Sequence, residues 1–187
     1  MGRPAGRSQF CETESGIGWK GNEASIPMKT IVVGLGNPIL GDDGVGWKVA
    51  EEVKRQLISP RTPLPKGAGS EVDVEFLSLG GISLMEHLIS YERAILIDAV
   101  TSDQETGSVI VSNLNEMPDY SAFHIASAHD TSLRNALKLG KSMGVSLPKE
   151  VIVVGIVTDH IYDFSESLSL AAAVAVSKAT ELVINLL

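Results

Sequence analysis

From residue 29 onward the chain alternates between short unbroken apolar runs and longer stretches whose apolar positions recur at helical spacing. Residues 29–34 (KTIVVG) form the first run, and residues 43–58 follow with Val45, Val49, Val53 and Leu57 four apart, which predicts a strand, a loop and an amphipathic helix. Pro60, Pro63, Pro65, Gly67 and Gly69 then mark a long loop. Beyond it the pattern predicts a strand at 72–77, a short helix at 82–90, a buried strand at 93–98 (RAILID) and another strand at 108–112. A helix follows at 132–143, with Leu133, Ala136 and Leu137 on one side. A strand at 151–157 (VIVVGIV) and a very apolar terminal helix at 168–187 complete the series.

Strands that alternate with helices and read as continuous apolar runs, not as period-2 patterns, argue for a mainly parallel sheet covered on both faces. The expected fold is therefore α/β: a three-layer α/β/α sandwich around a twisted, mainly parallel sheet of about five strands. Residues 28–187 are expected to form one domain. Residues 1–27 are rich in Gly and Ser without periodicity and are expected to be a flexible N-terminal tail, or a gene-model extension preceding a start at Met28.

Composition narrows the functional classes. Apolar residues make up 44% of the 187 and charged residues 20%, a globular balance. The net charge of −8 reflects 23 acidic against 15 basic residues, and no run of Lys or Arg along the chain could neutralise several phosphates, so neither nucleic acid nor an anionic membrane is an expected partner. The single cysteine, Cys11, excludes an intramolecular disulfide framework and suits a reducing compartment. Residues 1–27 lack the apolar centre of a secretory signal, and Ser177, Lys178, Glu181 and Asn185 interrupt the terminal apolar stretch. A cytoplasmic protein, monomeric by default, is the expectation.

In open parallel sheets ligands bind beyond the carboxyl ends of the strands. Three polar clusters fall there: GLGNPILGDDGVG at 34–46, Asp98 after the run RAILI, and SAHDTSL at 127–133. The first is not a dinucleotide fingerprint, since Ile39 stands where the third glycine belongs and the paired Asp42 and Asp43 would repel a phosphate. Those aspartates could instead cap the following helix, with Asp130 or Thr131 doing the same before the helix at 132. Two carboxylates and the His129 imidazole converging above a sheet edge would form an O/O/N ligand set for nickel or zinc. His87 lies in the pattern SLMEHLIS and His124 and His160 in separate loops, and none is paired with a strand-end carboxylate as convincingly. The chain has no G-x-S-x-G elbow, no H-E-x-x-H and no cysteine in a structured context, so no catalytic nucleophile is assigned.

The motifs VVGLGNPILGDDGVG at 32–46, ILIDAV at 95–100, SAHDTSL at 127–133 and VVGI at 153–156 make the chain similar to the hydrogenase maturation endopeptidases. That resemblance implies a protease that removes the C-terminal extension of a nickel-iron hydrogenase large-subunit precursor after nickel insertion. It implies recognition of the substrate's nickel by Asp43, Asp98 and His129, with Asp42 the adjacent runner-up, and substrate contacts at Asn37, Gly80 and Gly81. Two departures stand out: Leu79 occupies the place of an acid before Gly80 and Gly81, and residues 155–158 read GIVT where relatives carry a G-I-E-P-like segment. The rival reading is an accessory protein that binds nickel or zinc on the same precursor without cleaving it.

Overall fold

The computed structural model describes residues 29–59, 71–116, 132–159 and 164–187. Three of its strands are the unbroken apolar runs: β1 (Thr30–Leu35), β3 (Arg93–Val100) and β5 (Glu150–Val157). They lie side by side and parallel in the middle of a five-stranded sheet of order β2-β1-β3-β5-β4, whose edges are β2 (Val72–Leu77) and β4 (Val109–Asn113). Interior strands are covered on both faces, which explains their uniform apolarity. The edges depart from the expectation of uniformly apolar strands. Asp73 and Glu75 alternate with apolar residues in a half-buried β2, and β4 runs antiparallel to β5.

Among the described residues four helices cover the sheet: α1 (Val45–Ile58), α2 (Gly81–His87), α3 (Leu133–Ser142) and α4 (Leu170–Leu186). Helices α1 and α4 pack Val45, Val49, Val53, Ala172, Ala175, Ala179 and Val183 against Val32, Ile95, Ile97, Val154 and Ile156. On the other face α2 and α3 bring Leu84, Met85, Leu88, Ala136 and Leu137 onto Ile31, Val33, Leu96, Val151 and Val153. Each fully buried Ile or Val of this kind contributes about 1.5–3 kcal/mol. The result is the three-layer α/β/α arrangement. No helix among the described residues is long and apolar enough to cross a membrane, and α4 spends its apolar stripe on the sheet.

From β1 the chain moves to β2 on one side and then crosses to β3 on the other, so α1 and α2 occupy opposite faces. The carboxyl ends of β1 and β3 therefore diverge at a topological switch point, the place where open α/β sheets form a binding crevice.

Candidate metal centre

The segment leaving β1 is pinned at short range. Gly36 takes φ +115°, and a side chain there would run into the Asp43 carbonyl oxygen at 1.8 Å. The Asn37 amide donates to Asp43 Oδ2 at 2.5 Å, and Asn37 Oδ1 accepts from the Ile39 amide. Residues Gly41–Gly44 form a 3-10 turn, and α1 starts only at Val45, two residues later than its apolar spacing suggests. Neither aspartate caps the helix, contrary to the capping alternative: no side-chain cap is made at either the turn or α1. Asp43 folds back on the loop, while Asp42 Oδ1 accepts the Ser169 amide at 2.6 Å. Both carboxylates are buried.

Close packing brings this turn onto the strands. A side chain at Gly46, in the first turn of α1, would sit 2.4 Å from the carbonyl oxygens of both Leu35 and Ile97. Only glycine permits that approach, and it places the turn over the β1/β3 junction.

Asp98 is not the last residue of its strand, as the RAILI run suggests: β3 continues to Val100, and Asp98 pairs with Gly155 of β5. The last β1/β3 pair is Gly34 with Ile97, so Asp98 lies one step further on, level with Leu35. Asp98 is fully buried and shares the face of Ala94 and Leu96. Asp43 beside Gly36 and Asp98 level with Leu35 thus both lie at the carboxyl ends of the two strands that form the switch point. A carboxylate sunk among apolar strands is costly unless its charge is compensated. Carboxylate oxygen donors such as these would suit a divalent transition ion that retains open positions for other ligands.

The third expected ligand, His129, lies outside the described residues, as do Asp130, Thr131, His124 and His160. Among the described residues no three of His, Cys, Asp and Glu gather as a metal cluster. Ser132 caps α3, its hydroxyl accepting from the Asn135 amide at 3.4 Å, in place of the expected Asp130 or Thr131. His87, which sequence reasoning set aside, pairs through Nδ1 with Glu75 at 2.8 Å on the half-exposed β2 edge.

Gly80 and Gly81 follow β2 at the same end of the sheet, and Gly81 opens α2 with φ +53°. Ser78 Oγ donates to the Gly36 carbonyl at 2.6 Å, tying this exit to the first loop. Trp47 reinforces the junction by donating from Nε1 to the Leu77 carbonyl at 3.2 Å. Leu79 and Ile82 are exposed there, so the place of the missing acid is apolar surface. Sequence reasoning missed Ser169 and Ser78 and gave no packing role to Gly46, the last glycine of the first motif. Of these only Gly46 carries a local signal, as a glycine inside a helical pattern.

The fold and the chain's relatives agree. HoxM, a hydrogenase expression/formation protein of Azotobacter vinelandii, is 26% identical over 140 residues, 74% of this chain and 62% of that protein, so the chain spans about three fifths of that relative's length. The nickel-iron hydrogenase maturation protease HybD of Thermococcus kodakarensis superimposes with a TM-score of 0.59 at 26% identity, over 85% of this chain and 99% of that one. The hydrogenase maturating endopeptidase HybD from E. coli shares the fold with a TM-score of 0.63 at 23% identity, over 83% and 90%. The family model described as hydrogenase maturation protease matches residues 67–186, a stretch that excludes the glycine-rich first motif and so reaches the same answer from other residues. On that match the chain belongs to the hydrogenase maturation protease family.

Proposed function

We propose that this protein is an endopeptidase that removes the C-terminal extension of a nickel-iron hydrogenase large-subunit precursor after nickel insertion, recognising the nickel through Asp43, Asp98 and His129. The observation that supports the reading is the burial of two carboxylates, Asp43 and Asp98, at the carboxyl ends of the adjacent strands β1 and β3. Family membership supports the reaction class.

On this reading nickel is the substrate's cargo. A precursor that carries the ion offers it to Asp43 and Asp98, and the shared ion fixes where the precursor lies on the protease. A precursor without it lacks that anchor, so cleavage is gated by cargo through proximity. Gly80 and Gly81, which have no side chains, would let the substrate backbone approach closely, and Asn37 keeps the Asp43 loop in shape while bordering the peptide. The proposed setting is the cytoplasm, with the protease acting as a monomer.

The test is to incubate the full chain with nickel-loaded and nickel-free precursor and to read the large subunit's mass. A C-terminal truncation of the loaded form alone is the expected outcome. Nickel-dependent association without truncation would overturn the protease reading in favour of a non-cleaving accessory protein.

A further inference from the structure

The chain is acidic and carries no basic run, yet folding assembles one. Arg134, Lys138 and Lys141 stand at positions i, i+4 and i+7 of α3, on one face of the helix. With Lys149, Asn115, Leu114 and Pro148 they line a shallow recess. Among the described residues no carboxylate lines it. Lys138, Lys141 and Lys149 are exposed. Elsewhere Lys29 pairs with Asp73, Lys48 with Glu51, Arg55 with Glu52, and Arg93 with Glu150, Lys54 lies over the Phe76 ring, and Lys178 stands apart on α4. The pair of Arg93 with Glu150 also engages the carboxylate nearest Lys149 in sequence. Among the described residues Lys138, Lys141 and Lys149 form no such ion pair.

The recess is separate from the metal centre. Its floor residue Val151 pairs with Ala94, near the start of β3, whereas Asp98 pairs with Gly155. Four residues of strand are roughly 13 Å. Leu114 and Val151, joined by a backbone hydrogen bond, close the apolar floor, and the Arg134 guanidinium donates to the Leu114 carbonyl at 2.7 Å, which holds it at the rim.

We infer that this recess is a docking site for an acidic, extended polypeptide segment of a partner protein. Gathering like charges is unfavourable unless an anion compensates them, and here Lys138, Lys141 and Lys149 border a floor of Leu, Pro and Val. The α3 stripe is roughly 10 Å long. Acidic side chains at alternate positions of an extended peptide recur every roughly 7 Å and reach two of its cations together. A duplex or a membrane would bring a much larger anionic surface against a chain of net charge −8, which disfavours both. The proposal stands on the recess alone and does not depend on proteolysis.

The probe is a dye-labelled hexaglutamate peptide, titrated by anisotropy into the full chain at low salt, with hexaglutamine as control. Hexaglutamate should bind, hexaglutamine should not, and affinity should fall as salt rises. The double variant K138E/K141E alters only exposed side chains and should weaken binding at least tenfold, with an unchanged thermal melt. K138R/K141R should restore it. Equal binding to wild type and K138E/K141E, or no binding to wild type, would overturn the inference. So would tighter binding of inorganic pyrophosphate or a single-stranded oligonucleotide than of the peptide.

Discussion

Asp42 Oδ1 accepts a hydrogen bond from the Ser169 amide at 2.6 Å across 127 residues of sequence, joining the turn after β1 to the start of the last helix. Ser169 is itself the N-cap of α4, its hydroxyl accepting from the Ala172 amide. The neighbouring segment adds a second tie, since Gly41 donates to the Ser165 carbonyl and Ser165 to the Ile39 carbonyl. Adjacent aspartates thus have different work: Asp42 holds the turn to α4, and Asp43 shapes the loop at the switch point. Asp42→Ala would leave the Ser169 amide without its acceptor, at a cost of about 1–3 kcal/mol. Asp42→Asn, which keeps an accepting oxygen, should lose less. Urea unfolding of the two variants checks this; equal stabilities would show that the bond contributes nothing.

Gly46 offers a test in which helix propensity and packing predict opposite signs. Ala in place of Gly in a helix ordinarily stabilises by about 1 kcal/mol. Here the added methyl would lie 2.4 Å from two strand carbonyls, so the helix must lift off the sheet. Overpacking of this kind costs about 1–3 kcal/mol, and Gly46→Ala should destabilise despite its better propensity. A variant with a raised melting temperature would refute the close-approach argument.

What was legible in the sequence follows from these contacts. The interior strands β1, β3 and β5 were readable because burial on both faces leaves no polar interruption. The position of Asp98 was readable because a carboxylate in such a run is conspicuous. The end of β3 was not, since Ala99 and Val100 suit strand or loop equally. The 3-10 turn was hidden because aspartates before a helix look like caps, and nothing local reveals that Asp42 reaches Ser169. The basic recess was invisible for the same reason: Lys149 joins the α3 cations only through the fold.

At the opposite edge, the Tyr91 hydroxyl donates to Asp73 Oδ2 at 2.6 Å. That bond, ahead of the weaker help from Lys29, holds the Asp73 carboxyl below the usual carboxylate range against the opposing effect of burial. A carboxyl whose folded pKa is depressed adds stability above its unfolded value of about 3.9, and that stability is lost as pH falls through the folded value. Tyr91→Phe should move Asp73 upward toward its ordinary value and weaken the acid dependence of stability just below pH ~4. Because the Asp73 side chain is 40% exposed and solvent screens its charge, the effect on overall stability should be small. An NMR titration of Asp73 in both proteins reads the shift directly.

The ligand assignment separates most cleanly from folding with isosteric changes. Asp43→Asn keeps an oxygen able to accept from the Asn37 amide, so the loop should retain its shape while losing an anionic donor. Asp98→Asn replaces a fully buried carboxylate with a neutral group of the same size, so it opens no cavity in the strand. If both carboxylates recognise the precursor's nickel, each variant should lose truncation of the loaded precursor by at least a hundredfold while its urea midpoint stays close to wild type. Asp42→Asn, which alters only the neighbouring tether, should retain processing. An Asp43→Asn protein that still truncates normally while Asp42→Asn does not would transfer the recognition role to Asp42. If all three variants process the precursor at the wild-type rate, neither carboxylate contacts the nickel, and recognition of the loaded precursor must lie elsewhere on the protein.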